Sequence, residues 1–317
     1  MDVSVIIVNY NALRMTADCI DTLFAQTRGV EFEVILVDNG SADGGQAHFR
    51  HDGRILFIEA GENLGFGRAN NLGLAHARGK YVLFLNNDTL LLNNAMTLLW
   101  QQMELLPERV ACVGCLLTDR EGHAAHSYGR LPRQRDALLY ATALAPLSKR
   151  LRPARLLDCP PPPAEGCEVF PVGYVTGADL MVRRCVLDEL GGFSPHIFMY
   201  YEDTELQLRF REHGYESWIC RGPRICHLQG ASTKRGGKWQ REAMISRSRL
   251  VYFRLHRPAL SFALFRLLYA LLTLPCLLAF NHPWAERKAL VAASLHSSLF
   301  TLHSSLAGDR KGRPYTQ

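Results

Sequence analysis

Glu202 and Asp203 are adjacent carboxylates preceded by two tyrosines. Mutual repulsion and partial burial would raise the pKa of one of them and make a usable general base. The same pair also reads as acidic complementation of a helix N-terminus, with no chemistry. Asn86–Asn87–Asp88 follows the apolar run Tyr81–Leu85. A carboxylate at a strand end is placed to hold a divalent cation bridging a diphosphate, because Mg²⁺ needs only one or two protein carboxylates when phosphate and water fill the rest. Asp88 or Thr89 reads equally as a helix cap ahead of Leu90–Leu92. Asp38 ends a second apolar run, where it can accept from a ribose hydroxyl or a base N–H, and Tyr10 offers a flat face for stacking. Asp38–Asn–Gly–Ser is also a plain turn sequence. His227 presents a ring nitrogen to a metal, or is a structural histidine.

These residues need a scaffold, and the first third of the chain predicts one. Val3–Val8, Glu33–Val37, Ile55–Ile58 and Tyr81–Leu85 are short apolar runs suited to strands buried on both faces. Residues 12–27 and 66–78 carry helical spacing between them. Strands alternating with helices predict βαβ units and a parallel sheet, with ligands beyond the carboxyl ends of the strands. Asn9–Tyr10, Asp38–Asn39 and Asn86–Asp88 would cluster on that edge. Further on, Val169–Val172 and Ala178–Val182 read as strands, a helix begins near Glu202, and 158–166 is a proline-rich excursion. Leu260–Phe280 is apolar over 21 residues but is interrupted by Arg266 and Pro275, so a helix lying in a membrane interface fits better than a full span. Val291, Leu295, Leu299, Leu302 and Leu306 form one more apolar stripe.

With 48% apolar residues and a net charge of +6, the chain is not disordered, and nine cysteines in 317 residues do not make a disulfide framework. The N-terminus has no basic, signal-like region. Charge is divided: residues 1–115 carry 8 Lys+Arg against 13 Asp+Glu, and the remainder 28 against 17. An acidic half joined to a basic half predicts an anionic partner for the latter. Gly65–Phe–Gly67–Arg68–Ala–Asn70 fails as a dinucleotide fingerprint because it follows the third strand. Cys112 and Cys115 lie within a strand sequence, so zinc is not expected, and Cys185 and Cys220 read as core residues.

SVIIVNYN, VILVDNGSADGG, NLGFGRANNLGLAHARGKYVLFLNNDT, VTGADLMVRR, GGFSPHIFMYYEDTELQLRFREHG and HLQGAS occur in that order over roughly residues 3–235. The set resembles family 2 glycosyltransferases, in the branch containing bacterial rhamnosyltransferases of polysaccharide assembly. The resemblance implies an α/β GT-A fold (Rossmann-like, a mostly parallel sheet flanked by helices), an inverting mechanism, and a nucleotide-diphosphate sugar donor with Mg²⁺ or Mn²⁺. By the same resemblance, Asp38 binds the pyrimidine or ribose, with Asn9 and Tyr10 in the same pocket, and Arg68 and Asn70 approach the nucleoside or diphosphate. Asp88 is the last position of the family's Asp-x-Asp element and holds the metal. Asn86 replaces its first Asp on the donor side, and His227 completes the metal site. Asp203 is the general base, with Glu202 as the alternative. dTDP-rhamnose is the favoured donor and a UDP-sugar the other. The expected acceptor is a polyprenyl-linked saccharide at the cytoplasmic face of the inner membrane. Residues 1–258 would be the catalytic domain and 259–317 a helical, membrane-associating extension. Nucleic acid is not an expected partner. A sugar-nucleotide pyrophosphorylase would need a glycine-rich, lysine-containing loop after the first strand, where Asn9–Ala12 stands. A non-catalytic sugar-nucleotide-binding module would be expected to lose the acidic pair.

Overall fold

The computed structural model describes residues 1–145, 168–228, 238–278 and 284–295. The proline-rich segment, the stripe residues Leu299, Leu302 and Leu306, and the end of the HLQGAS motif lie outside these residues. The strands are β1 (Val3–Asn9), β2 (Phe32–Asp38), β3 (Leu56–Glu59), β4 (Tyr81–Asn86), β5 (Thr89–Leu91), β6 (Val110–Cys115), β7 (Tyr128–Gly129), β8 (Val169–Val172), β9 (Tyr174–Val175), β10 (Asp179–Arg183), β11 (Glu216–Cys220) and β12 (Ile225–His227). The helices are α1 (Leu13–Gln26), α2 (Gly45–Phe49), α3 (Phe66–Leu74), α4 (Ala95–Leu105), α5 (Gln134–Tyr140), α6 (Arg184–Leu190), α7 (Glu202–Glu212), α8 (Lys238–His256), α9 (Ala259–Thr273) and α10 (Trp284–Leu295), with a 3₁₀ turn at Leu274–Leu278.

Eight strands form one sheet in the order β3-β2-β1-β4-β10-β6-β11-β8. The N-terminal half is parallel, with Asn9 in register with Asp38 and Val8 with Asn86. This puts Asn9, Asp38 and Asn86 at one edge, as expected. The second half mixes directions within the mostly parallel sheet expected: β6 and β11 pair parallel, whereas β10 runs antiparallel to both β4 and β6, and β8 antiparallel to β11. An apolar run such as Asp179–Arg183 is buried on both faces in either direction, so its composition carries no sense of orientation.

Alternation along β1 divides the core. Val3, Val5 and Ile7 face Cys19, Ile20 and Leu23 of α1 with Leu99 and Met103 of α4. Ile6 faces the other layer, shared with Ala69 of α3 and with Leu206 and Phe210 of α7. Helix α3 lies so close to the sheet that a Cβ on Gly73 would meet Ile6 Cγ2 at 2.6 Å. A third core joins Leu208 of α7 to Leu250, Tyr252 and Phe253 of α8 and Phe262, Phe265 and Tyr269 of α9. The expected boundary at residue 258 falls inside this third core. Cys112, Cys115 and Cys220 are buried free thiols, whereas Cys185, expected in the core, is exposed on the first turn of α6. Among the described residues no helix is long and apolar enough to cross a membrane.

Candidate active site

A cavity of about 960 Å³ opens beyond the carboxyl ends of the parallel strands. Its lining includes Tyr10, Asn39, Asn63, Asn86, Asn87, Asp88 and His227, together with Gly177, Glu202 and Asp203. Six of the ten residues expected in the site therefore line one space: Tyr10, Asn86, Asp88, Glu202, Asp203 and His227.

Asn86–Asp88 leave β4 by a tight turn into β5, a strand rather than the helix its sequence also allowed. β12 pairs with β5 antiparallel, His227 opposite Thr89, and this delivers the histidine. His227 Nε2 stands 3.1 Å from Asp88 Oδ1 and 3.4 Å from Asn86 Nδ2, while its Nδ1 is buried without a hydrogen-bond partner. Two adjacent ligands of an octahedral cation at about 2.1 Å lie about 3 Å apart, so this carboxylate–imidazole pair fits a divalent ion. Among the described residues, the one three-residue group with ligand atoms close enough to share an ion is Asp119, Glu121 and His123. It belongs to a surface turn outside the cavity lining.

Glu202 and Asp203 open α7. The chain enters it through Tyr200 and Tyr201, both left-handed at φ +66° and +70°, a conformation that costs side-chain-bearing residues on the order of 1 kcal/mol each. Arg249 of α8 restrains this turn, donating from Nε to the Tyr201 hydroxyl at 2.9 Å and from Nη1 to the Tyr269 hydroxyl at 2.7 Å. Asp203 is anchored by the Gly177 N–H at 2.9 Å on Oδ2 and by the Thr204 N–H at 2.7 Å on Oδ1. Glu202 is 7% exposed and its Oε2 has no partner. Burial, reinforced by the Asp203 carboxylate, pushes the Glu202 carboxyl up to about 8. At neutral pH the pair thus holds a neutral Glu202 beside Asp203.

Four expected donor contacts lie outside the cavity lining, for identifiable reasons. Asn9 and Asp38 are fully buried and satisfy each other: Asn9 Nδ2 donates to Asp38 Oδ1 at 3.0 Å, and Asp38 Oδ2 accepts from the Ser41 N–H and from Gln46 Nε2. Burial pushes the Asp38 carboxyl up, but the hydrogen bonds from Ser41, Gln46 and Asn9 outweigh it and hold it below the usual range. Asn70 is buried with its Nδ2 donating to the Phe66 carbonyl, and Arg68 is exposed with its Nε donating to the Leu64 carbonyl. The glycines around them serve packing. Gly65 has φ +83°, and a Cβ there would come within 2.3 Å of the Phe198 carbonyl oxygen. The Phe66 N–H donates to that same carbonyl, and Asn71 brackets Phe193 with two hydrogen bonds. α3 therefore seats the segment that leads into Glu202.

Sequence reasoning missed several contributors. Gln207 holds α7 against β9 through both its amide groups, donating to the Val175 carbonyl and accepting from the Val175 N–H, each at 2.7 Å. Glu205 is buried between Arg209 and His256, and His256 ties α8 to α7. Asp179 is fully buried on β10, and desolvation pushes its carboxyl up to about 7 despite the Cys115 N–H it accepts. Helix α8 lends Arg241, Glu242 and Ile245 to the cavity. Two local signals were available: the acidic-then-basic order Glu205–Arg209 at i, i+4, and the helical spacing of α8.

Residues 4–152 match the family model described as Glycosyl transferase family 2. Over 220 residues the chain is 29% identical to the N-acetylglucosaminyl-diphospho-decaprenol L-rhamnosyltransferase of Mycobacterium tuberculosis, covering 64% of this chain and 68% of that protein. Over 231 residues it is 26% identical to the low-salt glycan biosynthesis hexosyltransferase Agl10 of Haloferax volcanii, covering 72% and 67%. The solved structure of the mannosyltransferase PcManGT from Pyrobaculum calidifontis, in complex with GDP-Man and Mn²⁺, matches with a TM-score of 0.55 over 93% of this chain and 86% of that one. At 19% identity this likeness speaks for the fold.

Proposed function

We propose, on the match of residues 4–152 to Glycosyl transferase family 2, that this glycosyltransferase carries out an inverting transfer from a nucleotide-diphosphate sugar to a polyprenyl-linked saccharide. The observation that carries this reading is the meeting, in one cavity, of the Glu202–Asp203 pair with the Asp88–His227 pair. Rhamnose is the favoured sugar, supported by the L-rhamnosyl transfer named for the mycobacterial relative; dTDP-rhamnose is the favoured donor and a UDP-sugar the other candidate. Tyr10, Asn39 and Asn63 would line the nucleoside end. Asn9 and Asp38 would act from beneath by fixing the turn at Ser41, and Arg68 and Asn70 by holding α3.

A single displacement needs one base. Asp203 is the better candidate, because two backbone N–H groups orient its carboxylate while Glu202 is neutral at pH 7. Asp203 would take the proton from the acceptor hydroxyl as that oxygen attacks the anomeric carbon and the nucleoside diphosphate leaves. Asp88 and His227 would hold Mg²⁺ or Mn²⁺, which supplies charge stabilisation for the departing diphosphate. Asn86, in place of a second carboxylate, removes one charge from that set and stays within hydrogen-bonding distance of His227.

The membrane reading belongs to the C-terminal helices. Leu260, Leu264, Leu267, Leu268 and Leu271 are exposed along one face of α9, continued by Leu274 and Leu278. Residues beyond 258 would then be a docking extension packed on the catalytic unit, on the inner face of the membrane where a lipid-linked acceptor is presented. Transfer measured against a panel of nucleotide sugars tests the whole reading. dTDP-rhamnose should be consumed, EDTA should abolish turnover and Mg²⁺ or Mn²⁺ restore it. Asp203→Asn should keep donor binding and lose about 100-fold or more in rate. Full activity in chelator, or substantial turnover by Asp203→Asn, overturns the corresponding role.

A further inference from the structure

The part of the cavity lining that does not come from the strand ends has a chemistry of its own. His126, Arg130 and Pro132 flank β7, Tyr174 begins β9, and Arg241 and Ile245 come from α8. Arg130 and Arg241 are both exposed, and among the described residues neither forms an ion pair. The Arg241 guanidinium lies 5.7 Å from the centre of the Tyr200 ring, directly before the acidic pair. In the same lining His126 Nε2 and the Tyr174 hydroxyl meet at 3.1 Å, giving two further polar groups. Glu242 of α8 also lines the cavity, and it does not pair with either arginine.

Two guanidinium groups that line a cavity without carboxylate partners are suited to an anion, and their planar forks suit phosphate oxygens in particular. In the transfer reading the donor's diphosphate is held through Asp88 and His227. Asp203 lines the same cavity as both sets of residues, so an acceptor held at the arginines would have its hydroxyl within the space the base shares. We propose that Arg130 and Arg241 form a subsite for the diphosphate of the acceptor, distinct from the donor's; this deepens the transfer reading above and rests on it. The arrangement makes the lipid-borne phosphate part of what is recognised. A free saccharide offering the same hydroxyl would lack that anchor.

The experiment is binding calorimetry on the full chain with farnesyl diphosphate, farnesol, dTDP and UDP as probes. Wild type, Arg130→Gln and Arg241→Gln are compared, with circular dichroism as the check on folding. Farnesyl diphosphate should bind wild type, with farnesol about tenfold or more weaker. Each substitution should weaken farnesyl diphosphate about tenfold and leave dTDP in Mg²⁺ within about twofold. The proposal is overturned if the diphosphate and the alcohol bind alike, or if the substitutions leave farnesyl diphosphate unchanged. A parallel loss of dTDP would assign the arginines to the donor and overturn it too. Failure of both dTDP and UDP to bind wild type would instead sink the transfer reading, while the farnesyl diphosphate series still decides the subsite.

Discussion

At the scale of single residues, the acidic pair divides its labour by environment. Burial pushes Glu202 up to about 8, so it is neutral at pH 7 and ionises as pH rises through that value. Two expectations follow with a fixed sign. Activity should decline on the alkaline side as a second charge appears beside Asp203, and Glu202→Gln should remove that decline while keeping neutral-pH activity within about threefold. Folding stability should also fall for wild type as pH rises from about 4.5 towards 8, because the native state holds a proton that the unfolded chain gives up. Thermal melts at pH 6 and 9 check this: Glu202→Gln should lose less stability between them. An identical alkaline limb in the two proteins would mean that another group titrates. The pair itself was legible in the sequence, because two carboxylates at a helix start are local information. The fates of Asn9 and Asp38 were not: a strand-end polar residue reads the same whether it faces the ligand or a neighbouring strand end.

At the scale of elements, α7 is held from three sides: by Gln207 on β9, by Arg209 on the carbonyls of Leu190, Gly191 and Gly192, and by His256 of α8 on Glu205. Burial alone would lower the His256 pKa, but the hydrogen bond to Glu205, the Glu205 charge and the Glu212 carboxylate on the other ring nitrogen outweigh it and raise it. The sign is then set. The clamp's contribution is fully present below the ordinary histidine value of 6.5 and is lost as pH rises through the raised native value. The difference in melting temperature between wild type and His256→Gln should therefore be largest near pH 6 and shrink above neutrality. Glu205→Ala should cost about 3 kcal/mol in urea titrations, since it leaves Arg209 and His256 buried without their carboxylate. Element existence was largely legible: β1, β2, β4, β8 and the start of α7 fall within a residue of their apolar runs. What the sequence concealed was which helices share a core, since α8 and α9 show periodicity but not the identity of their partners.

At the scale of the whole molecule, charge and apolar surface are sorted in space. Leu264, Leu267 and Leu271 are exposed at helical spacing on α9, while Phe262, Phe265 and Tyr269 of the same helix fill the third core. Deleting everything beyond 258 would therefore strip that core as well as the exposed face. Replacing Leu264, Leu267 and Leu271 by Ser separates the two. Sedimentation with vesicles containing anionic lipid should show binding reduced about tenfold or more, with the melting transition shifted by no more than a few degrees. Unchanged co-sedimentation removes α9 as the docking face. Helix α8 gives its arginines different tasks: Arg241 lines the cavity and Arg249 braces Tyr201. The central placement of β10 has a further consequence, for the order of assembly. β4 and β6 are both synthesised well before the strand that must lie between them, so in a growing chain their facing edges stay unpaired until residue 183 is available. Those facing edges are open to a second nascent chain, and the late arrival of β10 closes the pair of them at once, leaving the far edge of β6 to β11.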